Sequence, residues 1–251
     1  MFRRRKNRRT HSHNKNIASL LSFVAGIINV TGIVSINQLT TNVTGHFAYF
    51  VDELFQLNYT GGMIYFLYVL FFFLGCFTSN ILIELISKVS DRYVYIIPVF
   101  IEIIILSSIG IFGNYLIDYL PNVIAFSLLF AMGFQNALVT IISNAIVRTT
   151  HLTGLFTDLG IEVSQLFFYK GTQQKIKLKR TINLRMRIII FFFLGGLAGG
   201  LVYSRISFHG LFLPVTLLLF GIFYDTIRYQ LILLRRGNYR RMVNTLKNTK
   251  K

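Results

Sequence analysis

Six unbroken apolar stretches, at 17–36, 62–86, 93–113, 121–147, 188–204 and 211–233, constrain this chain more than any motif it carries. The hydrocarbon core of a bilayer is about 30 Å thick and takes roughly 20 residues of helix to cross, which is the scale of these runs. They are continuous, not alternating, and a segment in lipid must satisfy its own backbone hydrogen bonds, so they predict helices and not strands. Charged residues make up 14% of the chain, against about 25% in an ordinary soluble domain, and that excludes such a domain.

The charges present are lopsided, 26 Lys and Arg against 9 Asp and Glu, for a net charge of +17. Nucleic-acid binding and membrane topology both account for such an excess, and the positions decide between them. Seven basic residues lie in 1–16, two in the 87–92 connection (Lys88 and Arg92), eight from Arg148 to Arg187 and seven from Arg235 to Lys251. Six spans with a cytoplasmic N-terminus put all four groups on one side, with Arg205 opposite and Arg228 inside the last run. A nucleic-acid protein would instead gather its charge on one folded basic face, so nucleic acid is not an expected partner. Anionic lipid headgroups near the basic arms are. The opening MFRRRKNRR precedes an apolar run longer than the roughly 7–15 residues of a secretory leader, with no small-residue cleavage site after it, and reads as the flank of an uncleaved span. The single cysteine, Cys76, admits no intramolecular disulfide and reads as a small packing residue.

The two halves of the chain match each other. Phe23, Gly26 and Asn29 recur as Phe130, Gly133 and Asn136, and Thr40, Thr41, Thr44, Gly45, Phe47, Glu53 and Gln56 recur as Thr149, Thr150, Thr153, Gly154, Phe156, Glu162 and Gln165. Phe71-Phe72-Phe73-Leu74-Gly75 returns as Phe191-Phe192-Phe193-Leu194-Gly195, and Pro98-Val99 as Pro214-Val215. The polar TTxxTGxF block carries this repeat, since phenylalanine is abundant everywhere in the chain. With an odd number of spans in each half, the second half lies upside down relative to the first. Inverted repeats of this kind are common in secondary transporters, whose sites lie between the halves.

The segment AMGFQNALVTIISNAIVRTTHLTGLFTDLG, 131–160, together with AGIINV and NVTGH in the first half, resembles the YoaK family of bacterial inner-membrane proteins, grouped as a domain of unknown function. The resemblance runs from about Phe23 to Tyr229, with Asn29 where the family often has an acid and His46 where Asn is usual. It implies a six-span protein of the bacterial cytoplasmic membrane and supplies no activity or catalytic residue.

Two readings of the TG blocks stand side by side. In one, Thr44 and Thr153 cap the short helices that follow; in the other, the blocks re-enter the membrane and aim helix N-termini and hydroxyls at a polar or anionic ligand. Gln135 and Asn136 place two amides in the fourth span, suited to interhelical bonds or to substrate. Glu102, midway along the third span, is the candidate for proton or cation coupling; Glu84 lies near a span end, and Asp225 and Arg228 are spaced to pair. His46 and His151 occupy non-equivalent repeat positions and lack nearby acids or thiolates, so no metal is expected. The adjacent Asp52 and Glu53 point to different faces of a helix and form no carboxylate dyad. Gly195, Gly196, Gly199 and Gly200 set overlapping GxxxG patterns for close packing, within the bundle or between subunits. No nucleophile elbow, phosphate loop, HExxH or dinucleotide fingerprint is present, and neither an enzyme nor a cofactor is expected.

The expected architecture is all-α: a basic arm at 1–16, a three-helix repeat at 17–113, a short external loop at 114–120, a second repeat at 121–234 containing a basic cytoplasmic loop at 169–187, and a basic tail at 235–251. The leading expectation is a small secondary transporter or permease for a small polar or anionic solute. Its expected site comprises Asn29, Thr41, Thr44, Gly45, His46, Gln135, Asn136, Thr150, Thr153 and Gly154. A non-transporting lipid-binding, assembly or regulatory protein is the alternative, a homo-oligomer is compatible with either, and a lipid-acting enzyme using His46 with Asp52 or Glu53 is a third possibility.

Overall fold

The computed structural model describes residues 11–90, 93–143, 149–169 and 171–224, with backbone alone at 11–14. These residues are helical and contain no strand. The helices are α1 (His11–Ile36), α2 (Val43–Phe55), α3 (Tyr59–Val89), α4 (Ile96–Tyr119), α5 (Pro121–Ser143), α6 (Leu152–Phe168) and α7 (Thr172–Ile206). A 3-10 turn, Ser207–Leu211, follows α7, and residues 212–224 are again helical. Five stretches are long and apolar enough to cross a membrane: Lys15–Ile36, Tyr59–Val89, Ile96–Tyr119, Pro121–Ser143 and Thr172–Tyr224. The chain is a multi-pass helical membrane protein. Of the span expected at 211–233, residues 225–233 lie outside the described residues, as do 144–147 of the fourth.

Two expected connections are not loops. The segment 114–120 shrinks to Leu120, because α4 runs to Tyr119 and Pro121 opens α5. Proline fits a first helical turn, where its missing N–H would have had no partner. Most of the basic segment 169–187 is the first half of α7. Its lysines and arginines are good helix formers, and hydropathy sees only where a helix stops being apolar, not where it ends.

Glycine and left-handed residues set the shape. Asn37 (φ 55°) ends α1, with its amide bonded to the Ile33 carbonyl (3.0 Å) and the next amide, Gln38, to Gly32 (3.2 Å). Ser207 (φ 52°) interrupts the Thr172–Tyr224 stretch. The turn after it is fastened to α4, where Asn114 accepts from the Phe208 amide (3.3 Å) and bonds the His209 ring (3.0 Å).

The central helices are α1 and α5: their apolar windows are 72% and 61% buried, against 22% for α3. α1 packs on α7 and α5 on α3, backbone to backbone. A Cβ on Gly26 would collide with the carbonyl oxygen of Phe192, and one on Gly195 with that of Phe23. In the other crossing, a Cβ on Gly133 would collide with the Phe72 carbonyl oxygen and one on Gly75 with that of Phe130. Gly26 and Phe23 correspond to Gly133 and Phe130 in the sequence repeat, and Phe192 and Gly195 to Phe72 and Gly75. The residues that repeat are therefore the residues that meet. Gly199 lies against the Ile27 backbone and Gly196 against Val30, so the GxxxG patterns serve packing within the bundle. Gln135 joins the two central helices, its Nε2 donating to the Leu21 carbonyl at 2.8 Å, fully buried. Such a bond is worth about 1 kcal/mol in a membrane interior. Outward, α3, α4 and α7 expose Phe66, Phe77, Phe100, Ile104, Phe193 and Leu201, an apolar surface suited to lipid.

The two short helices are held differently. Tyr49 of α2 stacks on Tyr65 of α3 at a centroid distance of 5.2 Å. At the corresponding positions of the second half stand Asp158 and Arg185. Arg185 grips Glu162 through Nε (2.9 Å) and Nη2 (3.0 Å) and reaches Asp158 through Nη1 (2.8 Å).

At a crossing without room for a Cβ the helices must splay, and overpacking costs about 1–3 kcal/mol. Gly133→Ala and Gly26→Ala are expected to lower the detergent melting temperature clearly, whereas Gly160→Ala, whose added carbon meets no neighbour within 4 Å beyond the local helix backbone, leaves it unchanged or raises it.

Candidate functional site

The helix breaks that follow α1 and α5 carry the TG blocks, and the fold brings both blocks to one cavity of about 1010 Å³. Asn29, Thr41, Thr44 and Gly45 line it from the first half, and Asn136, Thr150 and Thr153 from the second. Seven of the ten residues expected from the sequence therefore share one space. Phe72, Phe73 and Phe192 supply its apolar wall. They belong to the repeated FFFLG segments, which in the sequence pointed to the repeat but not to the site. Cys76 also lines the cavity, and its Sγ donates to the Gly133 carbonyl at 3.1 Å.

The other three lie elsewhere. Gln135 is tied to Leu21, Gly154 packs behind the His151 ring, and His46 faces a second, smaller cavity of about 290 Å³. His46 is 3% exposed, beside Tyr65 and Tyr68, with Nε2 2.6 Å from the Leu39 carbonyl oxygen, to which it donates. Asp52 and Glu53 instead accept from Gln56 (2.9 Å) and Asn58 (2.6 Å). Glu102 is fully buried in α4, neither carboxyl oxygen has a hydrogen-bond partner among the described residues, and it does not line the cavity.

The expected threonine caps are replaced by the residues before them. α2 starts at Val43, so its N-cap is Asn42, whose side chain accepts from the Gly45 amide at 3.1 Å. α6 starts at Leu152, and its N-cap, His151, makes no side-chain cap bond. Thr44 and Thr153 already sit inside the first turn, where a hydroxyl is past the capping position. Thr40 and Thr149, which the sequence aligned without assigning them a role, are fully buried, and neither hydroxyl has a partner among the described residues.

The paired asparagines differ in the same way. Asn29 Oδ1 accepts from both the amide (3.2 Å) and the hydroxyl (2.9 Å) of Thr41, tying the α1 body to the strand of chain that leads into α2. Asn136 Oδ1, at the corresponding place in the second half, is buried without a hydrogen-bond partner among the described residues. Among the described residues, no Asp, Glu, Lys or Arg lines the cavity. It offers amides, hydroxyls and backbone N–H groups against an aromatic wall, groups with the chemistry to hydrogen-bond a polar molecule.

Residues 17–224 match the family described as "Protein of unknown function (DUF1275)", and the chain belongs to that family. No curated protein and no solved structure matches the chain.

Two consequences are measurable. Asn29→Ala strands the Thr41 amide and is expected to cost about 1–3 kcal/mol in thermal unfolding, while Asn136→Ala, which breaks no such bond, costs less. Burial holds the His46 imidazole below its usual value of 6.5, the bond to Leu39 opposing that shift only in part. The unfolded chain therefore takes up the proton first, and stability is full above about pH 6.5 and falls as the pH drops below it. In a series of melts across pH, His46→Gln is expected to flatten that fall.

Proposed function

We propose that this chain is a small secondary transporter or permease of the bacterial cytoplasmic membrane, carrying a small polar or anionic solute through the cavity between its two TG blocks. The observation that carries the reading is the convergence on that one cavity of Asn29, Thr41, Thr44, Asn136, Thr150 and Thr153, polar residues that recur in both halves of the sequence. The architecture goes with it: six spans in two inverted three-helix repeats, both termini cytoplasmic. Thr172–Tyr224 would measure roughly 80 Å as one straight helix, far more than a bilayer needs, and its break at Ser207 supports counting it as two spans. Equivalent glycines making equivalent crossings support the repeat, and the sequence match to DUF1275 at 17–224 covers most of the stretch that resembles YoaK proteins.

In this reading the chain is not an enzyme, its basic arms meet anionic headgroups, and Glu102 is the coupling carboxyl. Support for Glu102 comes from its placement: an acid in mid-span without a bonded partner is costly to keep and is retained for a task. Alternating access requires the cavity to open to each side in turn.

A cysteine placed in the cavity reads this directly, because Cys76 is the single native thiol and Cys76→Ser removes the background. In that background, Thr44→Cys and Thr153→Cys are expected to react with a membrane-impermeant maleimide in both right-side-out and inside-out vesicles. Labelling from one side only, or from neither, would overturn transport and favour the lipid-binding or regulatory alternative.

A further inference from the structure

We infer that α6 is the movable wall of the cavity, a gate on its cytoplasmic side latched by Arg185 against Glu162 and Asp158. This rests on the transporter reading and names the element that opens the cavity to one face. Each short helix starts at the cavity and runs back along the helix that follows it. The first turn of α2 shares the cavity with Phe72 and Phe73 of α3, and farther along α2 sets His46 beside Tyr68 and Tyr49 on Tyr65. The first turn of α6 shares it with Phe192 of α7, and farther along α6 sets Asp158 and Glu162 on Arg185. Depth follows from the helix rise. Phe192 lies five residues, about 8 Å, beyond Arg187, the last basic residue before the apolar run of α7. Phe72 lies thirteen residues, about 20 Å, from the start of α3 at Tyr59. The cavity is therefore nearer the basic flank, and α6 is the described element that runs from it toward that flank.

The two walls are fixed by different means. α2 is fastened at its start: Asn42 caps it, His46 is buried against the Leu39 carbonyl, and the chain before it is tied back to Asn29 through Thr41. The start of α6 has no side-chain cap, Leu155 is its single buried residue, and it packs chiefly on α7. Among the described residues, the side-chain bonds that join α6 to another helix are the three made by Arg185. These groups meet water, the Asp158 side chain being 52% exposed and that of Arg185 22%. Ion pairs in contact with water are worth little singly, so such a latch opens at small cost. A swing of α6 about its C-terminal end at Phe168 carries Thr153 away from Phe192 and draws one buried side chain, Leu155, out of the core. Alternating access works by gating one part against a fixed remainder. The first half supplies the fixed wall and α6 the moving one.

The test reads the cavity from its fixed wall, using full-length Thr44→Cys in the Cys76→Ser background as the parent and an impermeant maleimide on oriented vesicles. Arg185→Gln is expected to speed labelling in inside-out vesicles about two- to fivefold, the population shift that loss of a water-facing ion pair allows, and to leave right-side-out vesicles no faster. Should that variant fail to fold, Glu162→Gln breaks the two-bonded half of the latch and carries the same expectation. Exchanging the charges, Arg185→Glu with Glu162→Arg, rebuilds the pair and is expected to return the rate toward that of the parent. An exchange that stays as fast as Arg185→Gln would overturn the latch. Acceleration from both faces alike means a loosened fold and would overturn the gate, as would two-sided labelling that no latch variant alters; both leave the transporter reading standing. Labelling of the parent from one face only, or from neither, would overturn both.

Discussion

Helices surrounded by lipid gain little from burying apolar side chains against one another, because the lipid is as apolar as they are. Their association depends on close backbone approach, and here four glycines permit it: Gly26 and Gly195 where α1 meets α7, Gly75 and Gly133 where α3 meets α5. Much else is built on these two crossings. They set α1 and α5 at the centre, bring Gln135 within reach of Leu21, and place the ends of the central helices so that the chain segments following them face a common space.

On this paired frame the side chains diverge. The α2–α3 joint is aromatic, with Tyr49 on Tyr65, whereas the α6–α7 joint is ionic, with Arg185 held by Glu162 and Asp158. Tyrosine suits a membrane interface and clustered charge suits an aqueous flank, so each joint is adapted to a different surrounding. The TG blocks diverge too: Asn42 caps α2 and Thr41 saturates Asn29, while His151 leaves α6 without a side-chain cap and the Asn136 amide oxygen is buried without a partner among the described residues. One copy satisfies its polar groups from within and the other does not.

The membrane class and the helices were legible because hydropathy reports continuous apolar runs directly, and seven of the residues lining the candidate cavity were legible because TTxxTG and the paired asparagines are polar, ordered and duplicated. The losses have physical causes. Hydropathy stops where lysines and arginines begin, so the helical first half of α7 read as a loop. Capping depends on where a helix starts to within one residue, so Thr44 and Thr153 were given the place of Asn42 and His151. Gln135 and Asn136 are neighbours in sequence, but one residue of helix turns a side chain through about 100°. The first therefore points at α1 and the second at the cavity. No sequence pattern distinguishes those two directions without the partner helix in place.

The crossings join early chain to late chain. α1 emerges well before α7 during synthesis, and the backbone that Gly26 fits, at Phe192, enters the bilayer only after α3, α4 and α5 have been made. Until then the Gly26 face of α1 has no backbone to close against, and the Leu21 carbonyl waits for Gln135 of α5, whereas Asn29 finds Thr41 only twelve residues on. The α3–α5 pair, by contrast, is complete once the middle of the chain has been made, and it gives the late-arriving α7 a formed half to close against.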